Sequence, residues 1–190
     1  MEDAEFAIFN SEPRQIIYKQ LLDPLEVSAL NNYCTTLTLE RSHETGLATG
    51  QRQWCDINLR DQRFSFLCDR LFVTLENYFI DLRVDPNARF YSHKYGAVKP
   101  HTDKNHDNMS NYTLLLYLND DFEGRLSIKT KRTEAECIHS HIDKLHKVFQ
   151  ITPMRGYAII FDKNLLHWSS ETYTDKNFIL IHLYSACGGL

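Results

Sequence analysis

The sequence has no apolar run approaching the roughly 18 to 20 residues needed to cross a bilayer. Its longest, around 114–118, is the length of a strand, so a membrane-spanning helix is not expected. Cysteines are few and scattered: Cys34, Cys55, Cys68, Cys137 and Cys187 are odd in number and show no CxxC spacing. Neither a disulfide framework nor a cysteine zinc site is indicated, and reduced, mostly buried thiols are expected. Internal repeats, low-complexity tracts and Gly/Ser/Pro-rich linkers are missing as well. So is any excess of positive charge, since 21 Lys and Arg stand against 25 Asp and Glu, a net charge of −4. Such a surface has no general attraction for phosphate backbones or anionic lipid, and neither nucleic acid nor a membrane is the expected partner. Met1-Glu2-Asp3-Ala4-Glu5 is acidic where a secretory signal would be basic, and 185–190 match no prenylation or retention tail. A cytoplasmic location is the expectation.

What is present suits a globular protein. With 190 residues, 43% of them hydrophobic and 24% charged, a single domain over 1–190 is expected. Residues 1–85 read as mainly helical, giving support with the first strands, and 86–190 as the core. Asp23-Pro24-Leu25-Glu26 combines an N-cap carboxylate, a proline at the first helical position and a glutamate three after the cap. A helix to about residue 37 follows, with Leu25, Ala29, Leu30, Tyr33, Cys34 and Leu37 on one face. A second is expected over 61–82, closed by Pro86, with an apolar face built on Phe64, Leu67, Leu71 and Leu75. Beyond it, 89–93, 98–103, 112–119, 125–129, 137–142, 147–151, 157–161 and 178–184 read as short strands between turn residues. Regularly spaced short strands with few helices point to an antiparallel sandwich or barrel of the jelly-roll kind, mainly β, with N-terminal helices buttressing one face.

Nine histidines make a metal site worth testing. Two His-x-Asp pairs occur, His101-Thr102-Asp103 and His141-Ile142-Asp143, and in a strand residues i and i+2 share a face. Two histidines and a carboxylate on one face of an octahedron leave the opposite positions open, the arrangement of non-haem Fe(II) oxygenases. His167 is the best third ligand for His101 and Asp103: it lies 66 residues after His101, room for about four strands across a two-sheet sandwich. From His141 the gap is 26, and His141-Ile142-Asp143-Lys144 reads as a polar hairpin tip.

Tyr91, Tyr95-Gly96, Pro100-His101-Thr102-Asp103, the run 112–120, Phe122-Glu123-Gly124, Pro153-Met154-Arg155-Gly156, Phe161, Leu166-His167 and Lys176 together carry a resemblance. The sequence resembles the 2-oxoglutarate- and Fe(II)-dependent dioxygenases, the prolyl 4-hydroxylase-like branch above all, over about 86–184. The run 20–26 also looks like that branch's N-terminal helix. The resemblance implies a double-stranded β-helix, a cupin-like barrel, with His101, Asp103 and His167 as both the catalytic centre and the Fe(II) ligands. It further implies 2-oxoglutarate as cosubstrate, O2 as oxidant and ascorbate as an optional addition. Lys176, nine residues after His167, stands where family members hold the far carboxylate of 2-oxoglutarate with a cation. Members with arginine there often have a serine two residues on; Phe178 occupies that position, so the hydroxyl must come from elsewhere. Tyr117, on the inward face of its strand with Thr113 and Leu115, is one candidate, and Tyr91, ten residues before His101, is the other. The Asp103 carboxylate fills the position that related halogenases leave open for halide, which favours hydroxylation.

The implied reaction hydroxylates an unactivated C–H bond of an amino-acid-like small molecule, with 2-oxoglutarate going to succinate and CO2. Two alternatives stand beside it: a peptidyl, prolyl-type hydroxylase, and a catalytically inactive jelly-roll binding protein. A nucleic-acid demethylase is weaker, for want of a basic and aromatic groove. His182 would lie near the metal as a hydrogen-bonded structural residue, and His106 at the entrance. Cys137, His139, His141 and His146 would decorate a hairpin, and Arg125, Lys129, Lys131 and Arg132 would form a solvated edge. The polar segments 104–111 and 41–56 are candidate lids.

Overall fold

Two antiparallel sheets account for most of the chain. The computed structural model describes residues 6–8, 16–41, 47–76, 82–103, 111–131 and 146–185. In order the elements are β1 (Phe6–Ile8), β2 (Ile16–Gln20), α1 (Pro24–Thr35), β3 (Glu40–Arg41), β4 (Gln51–Asn58), α2 (Ser65–Leu75), β5 (Leu82–Val84) and β6 (Asn87–Lys94). Then come β7 (Gly96–His101), β8 (Tyr112–Tyr117), β9 (Leu126–Lys131), β10 (His146–Ile151), β11 (Tyr157–Asp162), β12 (Leu166–Thr172) and β13 (Lys176–Ser185). The larger sheet runs β1-β2-β11-β8-β13-β6-β4-β3, with β5 pairing the far end of β13; the smaller runs β10-β9-β12-β7. The architecture is that of a jelly roll. Among the described residues no helix is long and apolar enough to cross a membrane.

Alternation along the central strands of the large sheet separates two cores. Leu114 and Leu116 of β8, Ile160 of β11 and Ile179 and Ile181 of β13 face one way, onto Val27, Leu30 and Cys34 of α1 and Leu67, Leu71 and Leu75 of α2. Leu115 and Tyr117 of β8, Ile159 and Phe161 of β11 and Phe178 of β13 face the other way, onto Leu126, Ile128 and Ile151 of the small sheet. Burying each of these aliphatic side chains stabilises the fold by about 1.5–3 kcal/mol. At the start of α1 the Asp23 carboxylate accepts from the amides of Leu25 and Glu26, while the Glu26 carboxylate accepts from the Asp23 amide at 3.0 Å. This capping box satisfies amides that the helix itself leaves free.

Several expectations need correction. Leu25, 81% exposed, and Ala29 lie off the buried face of α1, which is built on Val27, Leu30 and Cys34. Residues 1–85 are not mainly helical: β2 and β4 lie there, and β4 pairs with β6 over eight residues from Gln51↔Lys94 to Asn58↔Asn87. That ladder overrides a polar composition and removes 51–56 from the candidate lid at 41–56, of which 42–46 lie outside the described residues. The second helix does not span 61–82: a 3₁₀ turn over Gln62–Phe64 leads into α2, which ends at Leu75, and Leu82–Val84 is instead a strand paired with β13. Lys129 lies on β9, between β10 and β12, so it is not on a sheet edge. The strand at 137–142, His106, the cluster Cys137, His139 and His141, and most of the lid at 104–111 lie outside the described residues.

Candidate active site

β7 is the edge strand of the small sheet, which is why Pro100, lacking an amide hydrogen, is tolerated there. β12 pairs with it, and the register sets His167 opposite His101. Directly opposed residues bring their side chains together, and the two imidazole rings have centroids 4.2 Å apart. The chain turns just past β7, where the Asp103 amide donates to the Lys163 carbonyl at 3.0 Å. That contact turns the Asp103 carboxylate toward both histidines: its Oδ1 lies 3.7 Å from His101 Nε2 and 3.6 Å from His167 Nε2.

The hydrogen bonds behind these atoms fix their chemistry. His101 Nδ1 donates to the Lys99 carbonyl at 2.8 Å and His167 Nδ1 to the Leu165 carbonyl at 3.0 Å. A carbonyl only accepts, so each Nδ1 carries the hydrogen and each Nε2 presents a lone pair. Asp103 Oδ2 accepts from the Thr113 hydroxyl at 2.7 Å, leaving Oδ1 free to face the imidazoles. Three lone-pair atoms thus converge, their candidate ligand atoms all within 4.8 Å of one another. Distances of 3.6 and 3.7 Å are too long for direct hydrogen bonds, so these atoms do not satisfy one another. Burial lowers the pKa of His167, reinforced by the neighbouring His101, with Asp103 opposing, so the neutral, ligating form is favoured. Two imidazoles and a carboxylate around a common point suit a divalent transition metal, and the residues present fit Fe(II).

A cleft of about 780 Å³, open to solvent at its mouth, joins this cluster to Tyr91, Tyr117 and Lys176. Lys176 is only 4% exposed and donates from Nζ to the Gly124 carbonyl at 2.5 Å. Burial pushes its pKa down to about 8, against the pull of Asp121. The Tyr117 hydroxyl is buried without a hydrogen-bond partner. Tyr91 is sandwiched, stacked on Phe178 at 5.1 Å with the Arg52 guanidinium 4.4 Å over its ring. His182 also lines the cleft. The sequence-predicted residues His101, Asp103, His167, Lys176, Tyr91 and Tyr117 therefore all border one cavity.

Sequence reasoning missed three residues here. Alternation puts Thr113 on the inward face, but its bond to Asp103 links strands that only the fold brings together. Arg52 was hidden inside a segment read as a loop, although alternation over 51–58 sets Arg52, Trp54 and Asp56 on one face. Asp121 sits in the turn after β8, where nothing local signals burial.

No family model matches the sequence, and no curated protein matches it significantly. Solved structures do match. SnoN, a non-heme alpha-ketoglutarate-dependent epimerase from nogalamycin biosynthesis, is 12% identical over 90% of this chain and 79% of its own, with a TM-score of 0.70. A prolyl-4-hydroxylase of Pseudomonas putida is 14% identical over 90% of this chain and 92% of its own, at a TM-score of 0.64. A Trichoplax adhaerens prolyl hydroxylase, solved with a hypoxia inducible factor oxygen degradation domain peptide fragment, is 12% identical over 91% and 84%, at 0.67. At these identities the likeness assigns the fold.

Proposed function

We propose that this chain, which has the fold of the 2-oxoglutarate- and Fe(II)-dependent oxygenases, is an enzyme of that kind: one dioxygenase domain whose two sheets form a double-stranded β-helix. The reading rests above all on one observation: the convergent lone pairs of His101, Asp103 and His167 share a cleft with a buried lysine and an unpartnered tyrosine hydroxyl. His101, Asp103 and His167 would hold Fe(II), which when bound supplies the oxidising chemistry with O2 and 2-oxoglutarate. One oxygen atom would enter a substrate C–H bond and the other the succinate carboxylate, with loss of CO2.

The chain's own groups do the positioning. Lys176 would meet the far carboxylate of 2-oxoglutarate as a point charge, and the Tyr117 hydroxyl would donate to it, filling the place of the missing serine. Tyr91, packed between Phe178 and Arg52, would wall the cosubstrate pocket. Phe161, its ring 4.7 Å from that of His167, keeps that side of the centre dry.

For the substrate we favour an amino-acid-like small molecule. Arg52 borders the cleft with its guanidinium over the Tyr91 ring, whereas Arg89, over Trp54 at 4.6 Å, is already paired with Asp56 at 3.1 Å. A cation held as Arg52 is suits a substrate carboxylate. Peptidyl prolyl hydroxylation is the second reading, favoured by the likeness to two prolyl hydroxylases. Anaerobic addition of Fe(II) and then 2-oxoglutarate tests the cofactors. A weak visible charge-transfer band is expected, lost in His101→Ala and needing far more 2-oxoglutarate in Lys176→Ala. No band in a folded, iron-binding parent refutes the assignment and favours the binding-protein alternative. Free amino acids screened against proline-containing peptides then separate the two substrates.

A further inference from the structure

A single short turn holds Lys176 in place. Between β8 and β9, Asp121 is 1% exposed, and its amide ties the turn down by donating to the Pro153 carbonyl at 3.1 Å. Asp121 Oδ1 accepts from the amides of Gly124 at 2.8 Å and Glu123 at 3.2 Å. Its Oδ2 has no hydrogen-bond partner and stands 3.7 Å from Lys176 Nζ, both side chains being covered. The same turn supplies the Gly124 carbonyl that accepts from Nζ. A Cβ at 124 would lie 2.0 Å from Asp121 Oδ2, so glycine there lets the carboxylate keep its place.

Beyond the Gly124 carbonyl and Asp121, the groups around the ammonium carry no negative charge of their own. Arg52 on β4 is a like charge, and His93 pairs with Lys176 across β6 and β13 and is itself held toward its neutral form by burial. On β8 the Tyr117 ring, 5.9 Å from Nζ, attracts the cation weakly through its face, but its phenol is kept protonated by burial and adds no negative charge. Asp121 supplies the negative charge in this set.

We propose that Asp121 is a positioning residue for the cosubstrate: its buried carboxylate keeps Lys176 charged and fixes Nζ beside the cleft, so affinity for 2-oxoglutarate depends on a group that never touches it. The inference rests on the reading of Lys176 as the carboxylate anchor. It also explains why a lysine can be buried there: a lone buried ammonium sheds its proton, whereas a paired one keeps it. Since Lys176 already titrates near 8, loss of Asp121 moves its deprotonation down toward neutral pH.

Asp121→Asn tests this, keeping an acceptor for the two turn amides while removing the charge. The measurement is the dissociation constant of 2-oxoglutarate on the Fe(II)-loaded protein, by anaerobic calorimetry between pH 6 and 9. In the parent, binding should weaken only above about pH 8. In Asp121→Asn the weakening should begin at lower pH, with affinity near pH 7.5 down about threefold for the first unit the lysine falls and by nearly tenfold for each further one. A merely structural defect would weaken binding without moving the pH at which it is lost. Parent-like affinity and pH profile in folded Asp121→Asn overturn the inference. Should that variant not fold, Gly124→Ala, whose methyl displaces Oδ2, reads the same shift with the same refutation. If Lys176→Ala leaves affinity unchanged, the anchor reading fails and this inference with it; if Lys176→Ala weakens binding and Asp121→Asn does not, only the positioning role is refuted.

Discussion

Thr113→Val probes the metal centre without altering a ligand. Thr113 is fully buried on β8, and its hydroxyl donates to Asp103 Oδ2 at 2.7 Å. Valine keeps the branched shape and replaces the hydroxyl with a methyl, so the carboxylate loses its partner while the packing stays. A hydrogen bond to a charged acceptor contributes about 1.5–3 kcal/mol, and a buried oxygen left unpaired costs a similar amount. Without it the carboxylate can rotate, and Oδ1 is no longer fixed 3.7 and 3.6 Å from the two Nε2 atoms. At about 1.4 kcal/mol per decade this is about 10- to 100-fold in metal affinity, the range expected when a group supporting a ligand is removed. Anaerobic calorimetric titration with Fe(II), with Mn(II) as a redox-stable stand-in, reads it directly. Thr113→Ser, which keeps the hydroxyl, should bind like the parent. A folded Thr113→Val whose affinity stays within about twofold of the parent would refute an orienting role for this hydroxyl.

Other expectations concern the frame. Leu116→Ala empties a fully buried site between the large sheet and the helices and should cost about 2–5 kcal/mol, seen as a lower urea midpoint at unchanged slope; a midpoint like the parent's would contradict the packing described. Asp23→Ala removes the cap of α1 and should cost about 0.5–2 kcal/mol in the same assay, and an unchanged midpoint would refute a stabilising cap. Burial pushes the Cys34 thiol up to about 12, so at pH 8 about one molecule in ten thousand carries the thiolate. Iodoacetamide should therefore spare Cys34 until the chain unfolds, and rapid labelling in the native state would show the helix layer to be open.

The parts of the molecule legible in the sequence are those written locally. Asp23-Pro24-Leu25-Glu26 announces its helix because a capping box needs only four consecutive residues. The apolar run at 114–118 resolves into two faces by alternation alone, and strands β8 to β11 occupy the interval that the 66-residue gap between His101 and His167 left for them. What escaped depends on partners. β4 carries Gln51, Arg52, Gln53 and Asp56, a loop-like composition that becomes a strand because β6 completes its ladder. β12 carries no legible strand pattern, since Ser169, Ser170, Glu171 and Thr172 follow His167 and interrupt the apolar alternation. Asp121 and Lys176 lie 55 residues apart in sequence, and no spacing rule joins a turn aspartate to a strand lysine.

The donors of the centre are divided between the two sheets. His101 and His167 come from the small sheet, Lys176 and Tyr117 from the large one, and the Thr113–Asp103 hydrogen bond crosses between them. A metal and a dicarboxylate bound together would thus act as a cross-brace between the two walls, adding to the side-chain packing and the few hydrogen bonds that already join them. Each ligand would stiffen the frame the other docks against, so the two would bind more tightly together than either alone, with no moving part beyond the closing of a gap.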